Sequence, residues 1–443
     1  MRPSKVNLII LGAAGRDFHC FNVLYRDNRK YDVRAFTSGQ LRGLRRRRFP
    51  AALSGPNYPR GIPIYDEETL PDLIRRYSAD EVVLAYSDLT FQEVMEKAST
   101  VLRSGARFTL LDPRSTMLKS RKPVIAVCAV RTGAGKSSVT RRLCDILRGH
   151  AIDPVVIRHP MPYGDLKRQV CQRFVSLEDL DRQSCTIEER EEYEPLLRKG
   201  LIVYSGIGMR EVLRRAERDG DVILFDGGNN DTPFISPDLY LTVADPFRPG
   251  QELTTYPGTL NVLMADVIVI NKVNTAPRES VDTVRGNLRR LNEKATIIET
   301  ASEVMVDHPE LVKENRVLVV EDGPTVTHGG LSFGVGTIAA RRFGAREIID
   351  PRPYAVGTIK ETYRDYAHLQ KVLPTIGYNS KQIDDLEKTI SATDCDTVIL
   401  GTTIDLRRVV AIDKPVVRVD YDLREIGTPT LDQVLIEFEK RLT

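Results

Sequence analysis

Short apolar runs separated by amphipathic stretches recur along nearly the whole chain. An apolar run of about four to eight residues bounded by turn residues reads as a buried parallel strand, and a period near 3.6 reads as a helix facing a sheet. On that basis the first third predicts strands over 6–12 (VNLIILG), 33–38 (VRAFTS), 81–87 (EVVLAYS) and 107–112 (RFTLLD), with helices over 70–77 and 90–105. The middle predicts strands over 123–130 (PVIAVCAV), 154–159, 222–228, 239–245, 266–272 and 317–322. A tail adds strands over 397–402 and 415–421 and an amphipathic helix over 430–442. Strands alternating with helices in this way specify parallel α/β architecture.

One junction carries chemistry. The strand ending at Ala129 runs into VRTGAGKS (130–137) and then into a helical pattern. Gly135, Lys136 and Ser137 match the closing half of the phosphate loop GxxxxGK[ST], in which backbone N–H groups surround phosphates, the lysine reaches the β/γ oxygens and the hydroxyl meets Mg²⁺. Strand before and helix after is the context that motif requires. Val130 stands where its first glycine belongs. Thr132, Gly133, Ala134, Gly135, Lys136, Ser137 and Ser138 are therefore the expected nucleotide-binding loop. Asp226, ending the apolar run of 222–226, is placed to hold a water of the Mg²⁺ shell, so Ser137 and Asp226 are the expected metal residues. Asn271 and Lys272 end a further strand where P-loop proteins read the base. Two residues on, Asn274 stands where a carboxylate would accept both guanine donors, so ATP is expected, with GTP as the alternative. The expected division is a Rossmann-like domain over 1–120, a P-loop NTPase domain with a mainly parallel sheet over 121–345, and a small α/β part over 346–443 packed on it.

Basic side chains follow several of these strands. Arg158 and His159, Arg248, His328 and, inside the loop, Arg131 would converge on the phosphate at one sheet edge. Such a lining suits a small, strongly anionic phosphorylated substrate, with Lys136, Arg131 and Asp226 carrying the chemistry. In the N-terminal part, glycines 12 and 15 follow a strand and Arg16 and His19 lie beside them, a candidate anion or substrate site. As a dinucleotide fingerprint the segment is poor, because the third glycine and the acidic residue ending the next strand are missing.

Composition narrows the class. Charged residues make up 28% and hydrophobic ones 41% of the 443 positions, the profile of a globular protein, and no apolar run approaches a membrane span. The apolar run near the N-terminus reads as a strand, since Arg16 and Asp17 follow where a signal cleavage site would lie. Six scattered cysteines without a CxxC pair indicate neither a disulfide framework nor a zinc site and fit a reducing cytoplasm. The net charge is +3, with a basic run at 42–50 and an acidic run at 187–195. Without interleaved aromatics the basic run reads as a solvated loop, and no nucleic-acid partner is expected. A homodimer is left open.

The motifs AVRTGAGKS, RHPMPYGDL, CTIEEREEYEP, DGGNNDTPF, DPFRPGQE, YPGTLNVLMADVIVINKVN, DGPTVTHGG and GTTIDLRR together resemble the cyclic 2,3-diphosphoglycerate synthetases and related predicted GTPases with an N-terminal Rossmann-like domain. The resemblance extends over most of the chain. It implies Mg²⁺- and ATP-dependent closure of an intramolecular phosphoanhydride in 2,3-bisphosphoglycerate, releasing ADP and phosphate. It places Lys136 on transition-state charge and Arg131, Arg158, His159, Arg248 and His328 on substrate phosphates. Two other readings remain: a regulatory or metal-delivery GTPase, and a P-loop ligase that activates a carboxylate for an amine. The ligase should show carboxylates in its pocket where this sequence suggests arginines.

Overall fold

The computed structural model describes residues 5–39, 47–162, 164–327, 329–377 and 379–442. They form two large sheets, mainly parallel. The first has the strand order Arg48–Phe49, Ile62–Asp66, Tyr31–Ser38, Val6–Leu11, Glu81–Leu84, Arg107–Leu110, with only the Arg48–Phe49 edge antiparallel. The second runs Gln172–Phe174, Ile202–Ser205, Pro154–Arg158, Val222–Asp226, Val124–Ala129, Leu239–Ala244, Val267–Ile270, Thr296–Val306. It continues through Val416–Ile426, Thr397–Gly401, Arg316–Glu321 and Glu347–Ile348, with Val372–Pro374 also on Arg316–Glu321. Val124–Ala129, Val222–Asp226 and Leu239–Ala244 are buried at every position. Helices cover both faces there, which explains runs without alternation.

The two halves of the second sheet meet at one antiparallel seam. Thr296–Val306 and Val416–Ile426 pair from Glu299 opposite Ile426 to Val306 opposite Val419, two strands longer than their neighbours. Beyond the seam, Arg316–Glu321 hydrogen-bonds only to strands that follow it in sequence. The C-terminal unit therefore begins near 316, and the division expected at 345/346 cuts through its ladder. On one side of the seam Ala129, Asp226 and Ile270 end parallel strands at one edge, and on the other side, where the strands run in the opposite sense, Glu321 and Gly401 end theirs.

Local signals set the helices that flank this edge. Phe91–Arg103 starts with a reciprocal capping box, the Thr90 hydroxyl accepting from Glu93 N at 3.2 Å while Thr90 N donates to the Glu93 carboxylate. Ile187–Arg198 repeats the device with Thr186 and Glu189, at 3.3 Å and 2.8 Å. Such a box satisfies two of the four free N–H groups of a helix start. The helix buries Ile187, Tyr193, Leu196 and Leu197. The run of glutamates between those positions thus sits on a packed helix, not on a solvated one.

All six cysteines are free thiols. Among the described residues no helix is long and apolar enough to cross a membrane. Of the basic run at 42–50, residues 42–46 lie outside the described residues, and Arg48 donates to the carbonyls of Arg60 and Gly61.

The C-terminal helix Leu431–Lys440 is tied to the phosphate-loop helix Lys136–Gly149 through His150, whose Nδ1 lies 2.7 Å from Glu439 and Nε2 3.1 Å from Asp432. Hydrogen bonding to Glu439, with Asp432 adding to it, raises the imidazole above its ordinary value. The stabilisation is complete below pH about 6.5 and is lost as pH rises through the raised value. Melting temperature should therefore fall from pH 6 to 8 more steeply in the native protein than in His150→Gln. Equal slopes for the two proteins would refute this contact as a source of stability.

Candidate active site

The loop after Val124–Ala129 is held by its carbonyls. Asn261 Nδ2 donates to Ala129 O at 2.9 Å, and Asn230 Nδ2 and Thr255 Oγ1 donate to Val130 O at 2.9 and 2.8 Å. Arg248 Nη2 donates to Thr132 O at 2.7 Å, Lys272 Nζ to Gly133 O at 2.7 Å and Asn271 Nδ2 to Ala134 O at 3.1 Å. Five carbonyls of six consecutive residues are thus drawn outward by side chains from other elements. Val130, Thr132 and Ala134 donate their N–H groups to Val243 O, Asp88 and Arg131 O, which leaves those of Gly133, Gly135, Lys136 and Ser137 for a phosphate. Two glycines permit it. Gly133 and Gly135 have φ of 80° and 106°, and a Cβ on Gly135 would lie 2.1 Å from Asn271 Nδ2. Val130, at the position of the missing glycine, is 2% exposed and packs with Ala244, Val262 and Ile268, so the first turn is built from core instead of from flexibility.

A cavity of about 280 Å³ opens in front of the loop. Gly133, Gly135, Lys136, Ser137 and Ser138 line it, with Asn271 and Lys272 at its side. Lys136 Nζ donates to Asn229 O, and Ser137 Oγ donates to Glu192 Oε2 at 3.3 Å. One end of the cavity is apolar, with Phe247 and Phe333 in edge contact at 5.7 Å beside Val304 and Ile338. Asn274, expected beside the base, spends its amide on the backbone of Ser302, donating to O and accepting from N at 3.0 Å each.

The expected basic residues are placed differently from what their sequence positions suggest. Arg131 turns from the cavity to Asp88 of the N-terminal part, Nε to Oδ1 at 3.1 Å. Arg248 spends its guanidinium on Thr132 O, Gly329 O and Asp245, the last at 2.9 Å. It supports the loop and does not line the cavity. His19 is 2% exposed, stacked on Phe234 at 4.3 Å with Nε2 2.8 Å from Thr116 O. Burial pushes its imidazole down to about 3, so it stays neutral and offers no charge to an anion. Arg158 lines the cavity but bridges Glu192 and Asp226, and Asp226 itself is fully buried behind it. His159 and Arg16 do line the cavity. His328 lies outside the described residues.

Carboxylates stand where arginines were expected. Glu188, Glu191 and Glu192 from the helix Ile187–Arg198, and Glu321 and Asp322 from the end of Arg316–Glu321, line the wall opposite the N-terminal part. Glu321 is taken up by the next helix, accepting from the N–H groups of Gly334, Gly336 and Thr337 at 2.7–3.0 Å. Glu191 is 5% exposed, and its Oε1 accepts from Thr375 and Thr402 at 2.7 and 2.6 Å. Burial, then the neighbouring Asp322, pushes its carboxyl well above the usual range. Sequence reasoning missed this wall, although the Thr186-x-x-Glu189 box followed by Ile187, Tyr193 and Leu196 would have revealed a packed helix whose remaining faces carry glutamate.

Removing a charged donor from a buried carbonyl costs roughly 1.5–3 kcal/mol. Arg248→Ala should therefore weaken ATP binding about tenfold or more, with a smaller effect on the second substrate. Calorimetric titration of ATP checks this; unchanged ATP affinity with a weakened second substrate would return Arg248 to the substrate site.

Over 436 residues, 98% of this chain and 97% of the relative, the sequence is 55% identical to the arginine synthetase ArcE of Thermococcus kodakarensis. It is 27% identical to a cyclic 2,3-diphosphoglycerate synthetase of Thermococcus sibiricus over 100 residues, 23% of this chain and 22% of that one. The resemblance noted from motifs thus extends over under a quarter of the chain in that relative. No family model matches the sequence. Among solved structures, LpxK from Aquifex aeolicus in complex with ATP matches 74% of this chain and 90% of its own, at 13% identity and a TM-score of 0.43. With a relative of this identity along its whole length, the chain belongs to the family of the arginine synthetase ArcE.

Proposed function

We propose that the protein is an ATP-dependent synthetase that builds the guanidino group of arginine from a ureido precursor and ammonia. The observation that carries this reading is the acidic wall of Glu188 and Glu192 beside the phosphate loop, with Glu191 and Asp322, whose carboxyls burial raises above the usual range, next to them. A substrate with several phosphates would meet those carboxylates at close range, and like charges in a desolvated site repel strongly. A guanidinium or an ammonium is their complement, and planar guanidinium pairs well with carboxylate oxygens. The full-length relative, named an arginine synthetase, supports the same substrate class.

The chemistry follows from what separates the two compounds. Citrulline differs from arginine by one oxygen in place of a nitrogen, and a ureido carbonyl is a poor electrophile with no leaving group. Phosphorylation supplies one. The ureido oxygen attacks the γ-phosphorus in line, the O–P bond forms and ADP leaves. Ammonia then adds to the activated carbon, the C–O bond breaks, and phosphate departs with the former ureido oxygen; the protons lost from nitrogen pass to the medium. Lys136 bears on the charge that develops on the transferring group. The acidic wall holds the cationic product end of the reaction and the incoming nitrogen.

Magnesium carried by ATP fits the oxygen donors at hand. The Ser137 hydroxyl and the Glu192 carboxylate, 3.3 Å apart, would hold it, with Asp226 behind them fixing Arg158. Among the described residues no group of three His, Cys, Asp or Glu forms a cage for a metal. That agrees with an ion bound largely through phosphate oxygens, where it neutralises their charge.

The bisphosphoglycerate reading keeps one observation, the partial match to a cyclic 2,3-diphosphoglycerate synthetase. Of the arginines that it would use, Arg131 and Arg248 point elsewhere and Arg158 is bound to two acids.

Incubating the protein with Mg²⁺, ATP, citrulline and ammonium should yield arginine, ADP and phosphate in equal amounts. Lys136→Ala should lower kcat by about 10²–10³-fold. Phosphate release driven by 2,3-bisphosphoglycerate and not by citrulline with ammonium would overturn the proposal.

A further inference from the structure

The cavity has a second polar end, between the phosphate loop and the N-terminal part, that neither phosphate nor guanidino chemistry uses. Consecutive residues of a strand point to opposite sides, and Arg158 and His159 divide the cavity in this way. Arg158 faces Glu192 and Asp226, whereas His159 Nδ1 lies 3.0 Å from Asp231 Oδ2. The histidine is inserted between two backbones. A Cβ on Gly15 would lie 2.2 Å from its Nε2, and one on Gly228 would lie 2.5 Å from its Cγ. Both glycines are therefore required for the ring to sit where it does, and the N-terminal part closes the cavity at this point.

Two buried groups of opposite charge meet there. Arg16 is 7% exposed and Asp231 3%, and both line the cavity. Arg16 lies above the Phe234 ring, and its Nη1 donates to Thr232 O at 3.1 Å, one of five donors on the guanidinium. Asp231 places Oδ2 beside His159, and the Ser87 hydroxyl also hydrogen-bonds its carboxylate. Two buried opposite charges in one cavity wall are matched by a ligand that carries their complements. The required ligand carries an anion for Arg16 and a cation for Asp231 a short distance apart.

We propose that Arg16 and Asp231 form the site for the head group of a zwitterionic α-amino acid, Arg16 taking the α-carboxylate and Asp231 the α-ammonium. This rests on the proposed synthetase reading, in which the far end of the same molecule reaches the phosphate loop. Continuity along one loop supports it: Asn229 accepts from Lys136 at the phosphate, and Asp231 follows two residues later. The N-terminal part thereby becomes the half of the enzyme that recognises the amino acid.

The test compares ligands that differ only at the head. Calorimetric titrations of the full-length protein would use L-arginine and agmatine, which lacks the carboxylate, and 5-guanidinopentanoate, which lacks the amine. The native protein should favour L-arginine over either analogue by about tenfold or more, the worth of a charge-assisted contact. Arg16→Met should bring L-arginine down to the level of agmatine while agmatine itself is unchanged, which also shows that the fold survives. Arg16→Lys should give an intermediate ratio, and Asp231→Asn should level L-arginine with 5-guanidinopentanoate. An arginine-to-agmatine ratio unaltered by Arg16→Met overturns the site and leaves the synthetase reading standing. Binding of a different α-amino acid with the same Arg16 dependence upholds the site and overturns the arginine reading. If no α-amino acid binds, both fall.

Discussion

Everything else in this active site depends on the outward pull on the carbonyls of the phosphate loop. A chain turning tightly between a buried strand and a helix must satisfy its backbone groups somewhere. Here Asn230, Thr255, Asn261, Arg248, Lys272 and Asn271 take up the carbonyls of Ala129, Val130, Thr132, Gly133 and Ala134. These donors come from the segments that follow three strands of the sheet, from Thr255 on a separate short strand and from Asn261 on a helix, so the surrounding elements must be in place before the loop has its shape. The loop is rigid because its supports are buried: Asn271 is 1% exposed and Asn230 and Asn261 are fully buried. Preorganised donors of this kind stabilise charge without rearranging during the reaction.

The same constraint explains why three parts of the chain share one cavity. Asp88 of the N-terminal part, at φ 68°, reaches Arg131, and its own N–H donates to Asn230 Oδ1 at 2.7 Å. Asn230 in turn holds Val130 O. From the other side, Glu191 ties the acidic helix to Thr375 and Thr402 of the C-terminal unit. Neither flank is an appendage. Each completes a wall of the cavity and braces the elements that position the phosphate loop through short, buried hydrogen bonds.

The parallel α/β architecture and the phosphate loop were legible because both leave dense local signals: uninterrupted apolar strands at 124–129, 222–226 and 239–244, and the run Gly133 to Ser137 directly before a helix. Side-chain direction was not legible. Arg131, Arg158 and Arg248 each follow a strand, yet whether such a residue faces a ligand or a neighbouring carboxylate is decided by partners distant in sequence, Asp88, Glu192 and Asp245. The glutamates at 188, 191 and 192 were read as bulk charge because their partners are distant in sequence: Glu191 is held by Thr375 and Thr402, 184 and 211 residues away, and Glu192 by Ser137 and Arg158. The proposed substrate class changes with those two differences together. An arginine-lined site would take a polyanion, and a carboxylate-lined one takes a cation.

In the proposed reaction the γ-phosphoryl group of ATP activates a substrate oxygen for displacement by nitrogen. The most direct measurement follows that oxygen. Citrulline labelled with ¹⁸O in the ureido group should, on conversion to arginine with ATP and ammonium, deliver its label to inorganic phosphate, one labelled oxygen per arginine formed. Label released to water, with unlabelled phosphate, would contradict the account.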